Sequence, residues 1–133
     1  IDFRGRVPRS TVEELYAASD AFLFPSFREP SGSVVFEAMR HGLPMIAADR
    51  GGPGNVITEQ SGIKLPAETP EQLAQALAGA IRRLATEPGL RAQLSAGARQ
   101  RAIELGAWPA KTGWLLELYH SILQAQDRQE RRA

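Results

Sequence analysis

A chain of 133 residues with 43% hydrophobic and 23% charged side chains matches the average soluble globular domain, which excludes a disordered or fibrous chain and leaves no room for a second complete domain. Sixteen Lys and Arg against fifteen Asp and Glu leave a net charge of +1, too little to gather nucleic acid or an anionic membrane by charge alone. Without cysteine there is no disulfide framework and no thiolate metal site, and no run approaches the roughly 20 apolar residues of a membrane helix.

Ile1-Asp2-Phe3 reads as the tail of a strand entering a loop at Arg4-Gly5-Arg6. A helix is predicted next, with Ser10 as its cap, Glu13 and Glu14 near the positive end of its dipole, and its end near Asp20. Ala21 to Phe24 is wholly apolar and closed by Pro25, the pattern of a strand covered on both faces. After a loop over 26–32, Val34, Val35, Ala38 and Met39 mark one face of a short helix that Gly42 and Pro44 terminate. Met45 to Ala48 is a second buried strand, followed by a turn at Gly51-Gly52-Pro53-Gly54.

Strand, helix and strand make a βαβ unit, whose right-handed crossover sets the strands parallel and brings the loops at 25–32 and 49–54 to one carboxyl edge. Gly62 to Pro66 suits an edge strand. Thr69 as cap and Pro70 at the first position open a helix to about Thr86. Leu90, Leu94, Ala98, Ala102 and Leu105 continue helical spacing, and a last helix over 110–126 carries Trp114, Leu115, Leu118, Tyr119, Ile122 and Leu123 on its apolar side, with a fraying tail over 127–132. The fold class is α/β: a Rossmann-like parallel sheet with a helical C-terminal run.

The chemistry concentrates between Phe24 and Met39, where Glu29 stands in the loop and Glu37 on the helix, eight positions apart. Ser31-Gly32-Ser33 opens that helix with small residues, so backbone N–H groups can approach a phosphate and the helix dipole favours its charge. Carboxylates repel phosphate but accept hydrogen bonds from neutral hydroxyls, which sugars supply. With a diphosphate at 31–34, Glu29 would face one end of a sugar nucleotide and Glu37 the other.

On these residues the chain resembles the group 1 glycosyltransferases, also called family 4, of the two-Rossmann-domain GT-B architecture. The resemblance rests on Phe3 to Pro8, Leu15 to Asp20, Phe24-Pro25-Ser26, the E-x₇-E pair Glu29 and Glu37, Glu37-Ala38-Met39, His41 to Pro44, and Gly51-Gly52 before Val56-Ile57. It implies a retaining hexosyltransferase that uses a nucleoside-diphosphate sugar and needs no metal or other cofactor. Glu29 is then catalytic, contacting hydroxyls of the transferred sugar. Glu37 holds the ribose, Ser31, Gly32, Ser33 and Val34 take the diphosphate, and the main chain at Val7 lies against the base.

It further implies that residues 1–133 are the C-terminal part of the nucleotide-sugar-binding domain, with the acceptor domain and the first βαβ units elsewhere. The hydroxyl acceptor, a glycan or glycolipid, would bind through that other domain, and the last helix is similar to one that crosses back to it. Truncation would leave a bare strand edge, so the isolated chain is expected to self-associate. The expected compartment is the cytoplasm, with a membrane-peripheral setting open for the full-length protein. Pro30-Ser31-Gly32 replaces the family's frequent Gly-Phe-Gly, and Asn55 stands where Glu is frequent.

Two rival readings stand beside this one. A binding module without chemistry would keep the same site. A receiver-like signalling domain would use Asp49, at the end of the second strand, and requires a cluster of acids around Mg²⁺. His41 and His120 lack ligand spacing, so no metal site is expected, and Arg82-Arg83 reads as a solvated face, without the interleaved aromatics of a nucleic-acid surface.

Overall fold

Three strands, β1 (Phe22–Phe24), β2 (Met45–Ala48) and β3 (Gly62–Leu65), form one parallel sheet in the order β1-β2-β3. The computed structural model describes residues 1–106 and 108–130. Six helices accompany the strands in it: α1 (Arg9–Ala18), α2 (Ser33–Arg40), α3 (Gly51–Val56), α4 (Pro70–Thr86), α5 (Pro88–Gly106) and α6 (Trp108–Glu130).

The central strand explains the layering. All four residues of β2 are buried, and because successive strand side chains point to opposite faces, they divide between two cores. Met45 and Ala47 join Tyr16 of α1, Val35, Ala38 and Met39 of α2, and Ala98 and Ala102 of α5. Ile46 and Ala48 join Leu73, Ala80 and Leu84 of α4 with Leu65 and Leu94. Phe22 pairs with Met45 and Ile46 with Ile63, so the strands end together and the loops after β1 and β2 leave from the same carboxyl edge.

Helix α2 forms where its apolar spacing requires. Val35, Ala38 and Met39 are buried at i, i+3 and i+4. Gly42, at φ +73, ends it in a Schellman motif: its N–H donates to the Met39 carbonyl at 2.9 Å and the Leu43 N–H to the Ala38 carbonyl at 3.2 Å. Helix α4 starts as its sequence indicates, with the Thr69 hydroxyl accepting from the Gln72 N–H at 3.2 Å and Pro70 in the first turn.

Several expectations are corrected. Ile1 to Phe3 is not a strand; it has no neighbouring strand among the described residues, and Phe3 is exposed. Helix α1 begins at Arg9 with Pro8, not Ser10, in the cap position, because the Pro8 carbonyl accepts from the Val12 N–H at 3.2 Å. Its first turn therefore contains no acid, and it ends at Ala18, where Ser19 turns extended. Strand β1 is covered on one side only: Leu23 is 40% exposed above an open apolar cleft lined by Ile46, Ile81 and Leu84.

The expected turn at Gly51 to Gly54 is the helix α3. Proline is tolerated in a first turn, where its missing N–H is not needed, and the Gly54 N–H donates to the Arg50 carbonyl at 3.1 Å. Helix α6 starts two residues before the expected Ala110 and continues to Glu130, so the predicted fraying over 127–130 is not seen; Arg131 and Arg132 lie outside the described residues. Its apolar side is not packed, with exposures from 38% at Leu115 to 65% at Trp114, because no described element covers it. The helix is held at its start, where the Lys111 ammonium lies 5.5 Å from the Phe36 ring of α2 and 5.9 Å from Trp108. Among the described residues no helix is long and apolar enough to cross a membrane.

Candidate functional site

The loop after β1 and the start of α3 interlock through glycine. The Gly52 N–H donates to the Glu29 carbonyl at 2.9 Å. A Cβ on Gly51, itself at φ +56, would collide with that same carbonyl oxygen, and one on Gly52 would meet the carbonyls of Pro30 and Ser31 at 2.7 Å. Gly32, at φ +65, lies against the buried Pro53 ring. The glycine-rich segment is thus the wedge that lets two backbones touch and holds the Glu29 loop at the carboxyl edge.

Glu29 turns back onto its own loop. Its Oε1 accepts from the Gly32 N–H at 2.7 Å, the Ser31 N–H at 3.1 Å and the Ser31 hydroxyl at 3.4 Å. These bonds, the Gly32 N–H first, hold its carboxyl below the ordinary range, so it is ionised near neutrality. Among the described residues its Oε2 has no partner.

The N–H groups of the expected cradle are of two kinds. The N–H groups of Ser31 and Gly32 are spent on Glu29, and the Val35 N–H donates to the Gly32 carbonyl at 2.8 Å. Those of Ser33 and Val34, in the first turn of α2, have no acceptor among the described residues, as first-turn donors do when no side chain caps them. Two donors at the positive end of a helix remain for an anion.

Glu37 sits one turn into α2, in a cleft lined by Arg9, Glu13, Arg40 and His41. Its Oε1 faces Arg9 Nη1 at 3.2 Å. Arg9 is held in turn by Glu13 Oε1, at 2.8 Å from Nη2 and 2.9 Å from Nε, and Glu13 Oε2 lies 2.8 Å from His41 Nε2. His41 is the C-cap of α2, as its position near the helix end suggests. The Glu13 carboxyl is lowered, by the His41 hydrogen bond first and then by Arg9. The hydroxyl of Tyr16, a buried residue, is raised, by burial first and then by the Glu37 charge. Val7 is half-buried two residues before α1.

Sequence reasoning missed the cluster of Arg9, Glu13 and His41 at Glu37, in which the two contacts between helices, Arg9 with Glu37 and Glu13 with His41, each join residues 28 apart. The local signals were two spacings of four, Arg9 to Glu13 and Glu37 to His41. It also missed the glycine wedge. The receiver-like reading loses its support: Asp49 pairs with Lys64 at 3.2 Å, and among the described residues no three His, Cys, Asp or Glu side chains gather as a metal-binding group does.

The chain is similar to known proteins in sequence and in fold. The family described as "Glycosyl transferases group 1" matches residues 1–101. A D-inositol 3-phosphate glycosyltransferase of Saccharomonospora viridis is 39% identical over 112 residues, covering 84% of this chain and 25% of that protein. Among solved structures, a sucrose-phosphate synthase of Thermosynechococcus elongatus superimposes with a TM-score of 0.73 at 33% identity, over 93% of this chain and 30% of the other. HepE of Anabaena, solved in complex with UDP, gives 0.66 at 25% identity, over 85% and 30%. The chain spans about a quarter of the length of the curated relatives it matches. With the parallel sheet, its carboxyl-edge loops and the match over most of its length, the chain belongs to the group 1 glycosyl transferases.

Proposed function

We propose that this chain supplies the nucleotide-sugar site of a retaining hexosyltransferase, which moves a hexose from a nucleoside diphosphate to a hydroxyl acceptor. The observation that carries the reading is the start of α2: two N–H groups, at Ser33 and Val34, and the Oε2 atoms of Glu29 and Glu37 on either side of them in the chain have no hydrogen-bond partner among the described residues. In this reading the N–H pair takes the diphosphate and stabilises charge as it leaves the sugar. Glu29 Oε2 accepts a hydroxyl of the transferred sugar and holds its reacting carbon in place. Glu37 Oε2 accepts from the ribose, and the main chain at Val7 borders the base. Ser31 and Gly32 act indirectly, by holding Glu29. No metal is needed, because the helix N-terminus supplies the positive charge.

The acceptor, a glycan or glycolipid hydroxyl, is presented by a second domain in the full-length protein, which works in the cytoplasm. The apolar stripe of α6 is covered there by that domain and, in the isolated chain, by a second copy. UDP is the first nucleotide to test, since HepE was solved with it. The experiment is a thermal-shift series on the full-length protein with UDP, GDP, ADP and their hexose conjugates. One series should raise the melting midpoint saturably, and Glu37→Ala should abolish the rise; no shift with any of them contradicts the proposal. Binding without turnover would leave a module that recognises the donor and performs no transfer.

A further inference from the structure

We infer that Arg9 is a positioning residue for Glu37, set by a ring of side-chain contacts, closed through the backbone of α2, that joins α1 to α2 and leaves one carboxylate oxygen for the ligand. The inference rests on Glu37 being the ribose-binding carboxylate.

The ring has four members. Arg9 and Glu13 are four apart on α1, and Glu37 and His41 four apart at the end of α2, so each pair shares a helix face. Across the cleft, Arg9 Nη1 meets Glu37 Oε1 at 3.2 Å and His41 Nε2 meets Glu13 Oε2 at 2.8 Å. Whichever protonation state His41 adopts, an Nε2–H can donate to Glu13. The imidazole is backed by the Tyr16 ring, with centroids 5.3 Å apart, and Tyr16 is buried. The ring is thus anchored to the core at one corner and presents Glu37 at the opposite one.

Stability does not account for the ring. Arg9 is 66% exposed and Glu13 41%, and ion pairs this open to water contribute little to folding. What the geometry restricts is rotation. The Arg9 guanidinium, fixed by two bonds to Glu13 Oε1, takes Oε1 of Glu37, and among the described residues Oε2 has no hydrogen-bond partner. A glutamate already held when the nucleotide arrives loses less side-chain freedom on binding. Lysine cannot reproduce this, because a single ammonium lacks the planar fork that spans both glutamates.

The test is calorimetric titration of the full-length protein with UDP, GDP and ADP, following the nucleotide that the unmodified protein binds most tightly. Arg9→Met should weaken that binding about three- to tenfold, the size expected for ordering one flexible side chain. Arg9→Lys should recover part of the loss, and Glu13→Gln, which leaves Arg9 unanchored, should show a smaller loss in the same direction. In turnover, KM for the donor should rise with kcat unchanged.

On a Glu37→Gln background, Arg9→Met should add almost nothing, since the pair acts as one unit. Should Arg9→Met fail to fold, Glu13→Gln carries the same comparison. Wild-type affinity in Arg9→Met, with binding lost in Glu37→Gln, overturns the positioning role and leaves the ribose reading standing. Undiminished loss from Arg9→Met in the Glu37→Gln background also overturns it. Wild-type affinity in Glu37→Gln, or no nucleotide binding by the unmodified protein, overturns both.

Discussion

The two acids of the E-x₇-E pair are held by different means. Glu29 is fastened by backbone: its Oε1 takes N–H groups of its own loop, and that loop is wedged against α3 through Gly51 and Gly52. Glu37 is fastened by side chains, through Arg9 to Glu13 and His41. Backbone donors cannot rotate away and are insensitive to salt, whereas an exposed ion-pair ring is screened within about 10 Å at 0.1 M salt and yields to single substitutions. One carboxylate is therefore rigid by construction, and the other is adjustable from a neighbouring helix. In the proposed reaction the rigid one faces the reacting sugar and the adjustable one the ribose.

This contrast can be broken from either side. The largest expected effect is Glu29→Ala in the full-length protein, which should cut turnover by about 100-fold or more, comparable to removing a preorganised electrostatic contact to a transition state. Turnover near the unmodified level would remove Glu29 from the chemistry. Next comes Gly51→Ala, which combines a left-handed backbone, costing about 1–2 kcal/mol, with a collision against the Glu29 carbonyl, where overpacking costs about 1–3 kcal/mol. Urea denaturation should show the loss, and a midpoint equal to that of the unmodified protein would mean that the loop is not wedged as described.

The smallest effect is in acid. Glu29 and Glu13 both have carboxyl groups below the ordinary range in the folded chain, Glu29 through the Gly32 N–H and Glu13 through His41 and then Arg9. A depressed folded value contributes stability that is present above the unfolded value of about 4.3 and lost as pH falls through the folded one. Stability should therefore decline below that pH, and Glu29→Gln and Glu13→Gln should each flatten the decline. An unchanged acid limb in both variants would contradict the bonds described here.

Much of this was legible in the sequence where structure is local. The apolar spacing of Val35, Ala38 and Met39 with Gly42 beyond it defines α2, and Thr69-Pro70 marks the start of α4 because capping depends on neighbours in the chain. Met45 to Ala48 could be recognised as a buried strand, since only a run without polar residues suits two covered faces. The same argument failed for β1, where an equally apolar run leaves Leu23 at 40% exposure: composition cannot tell a central strand from one at the sheet edge. The E-x₇-E pair could be located, but not that Glu29 would fold back onto the Gly32 N–H, because a rotamer choice leaves no trace in residue spacing. The ring around Glu37 was invisible for a related reason. Its cross-cleft contacts join residues 28 apart, and only the tertiary fold, which sets the two helices on either side of one cleft, brings them together.

The most direct test of the account is a crystal structure of the full-length protein with the nucleoside diphosphate that stabilises it. Phosphate oxygens should lie within hydrogen-bonding distance of the Ser33 and Val34 N–H groups, with a ribose hydroxyl on Glu37. A nucleotide bound away from the start of α2, or one whose ribose contacts neither oxygen of Glu37, would contradict it.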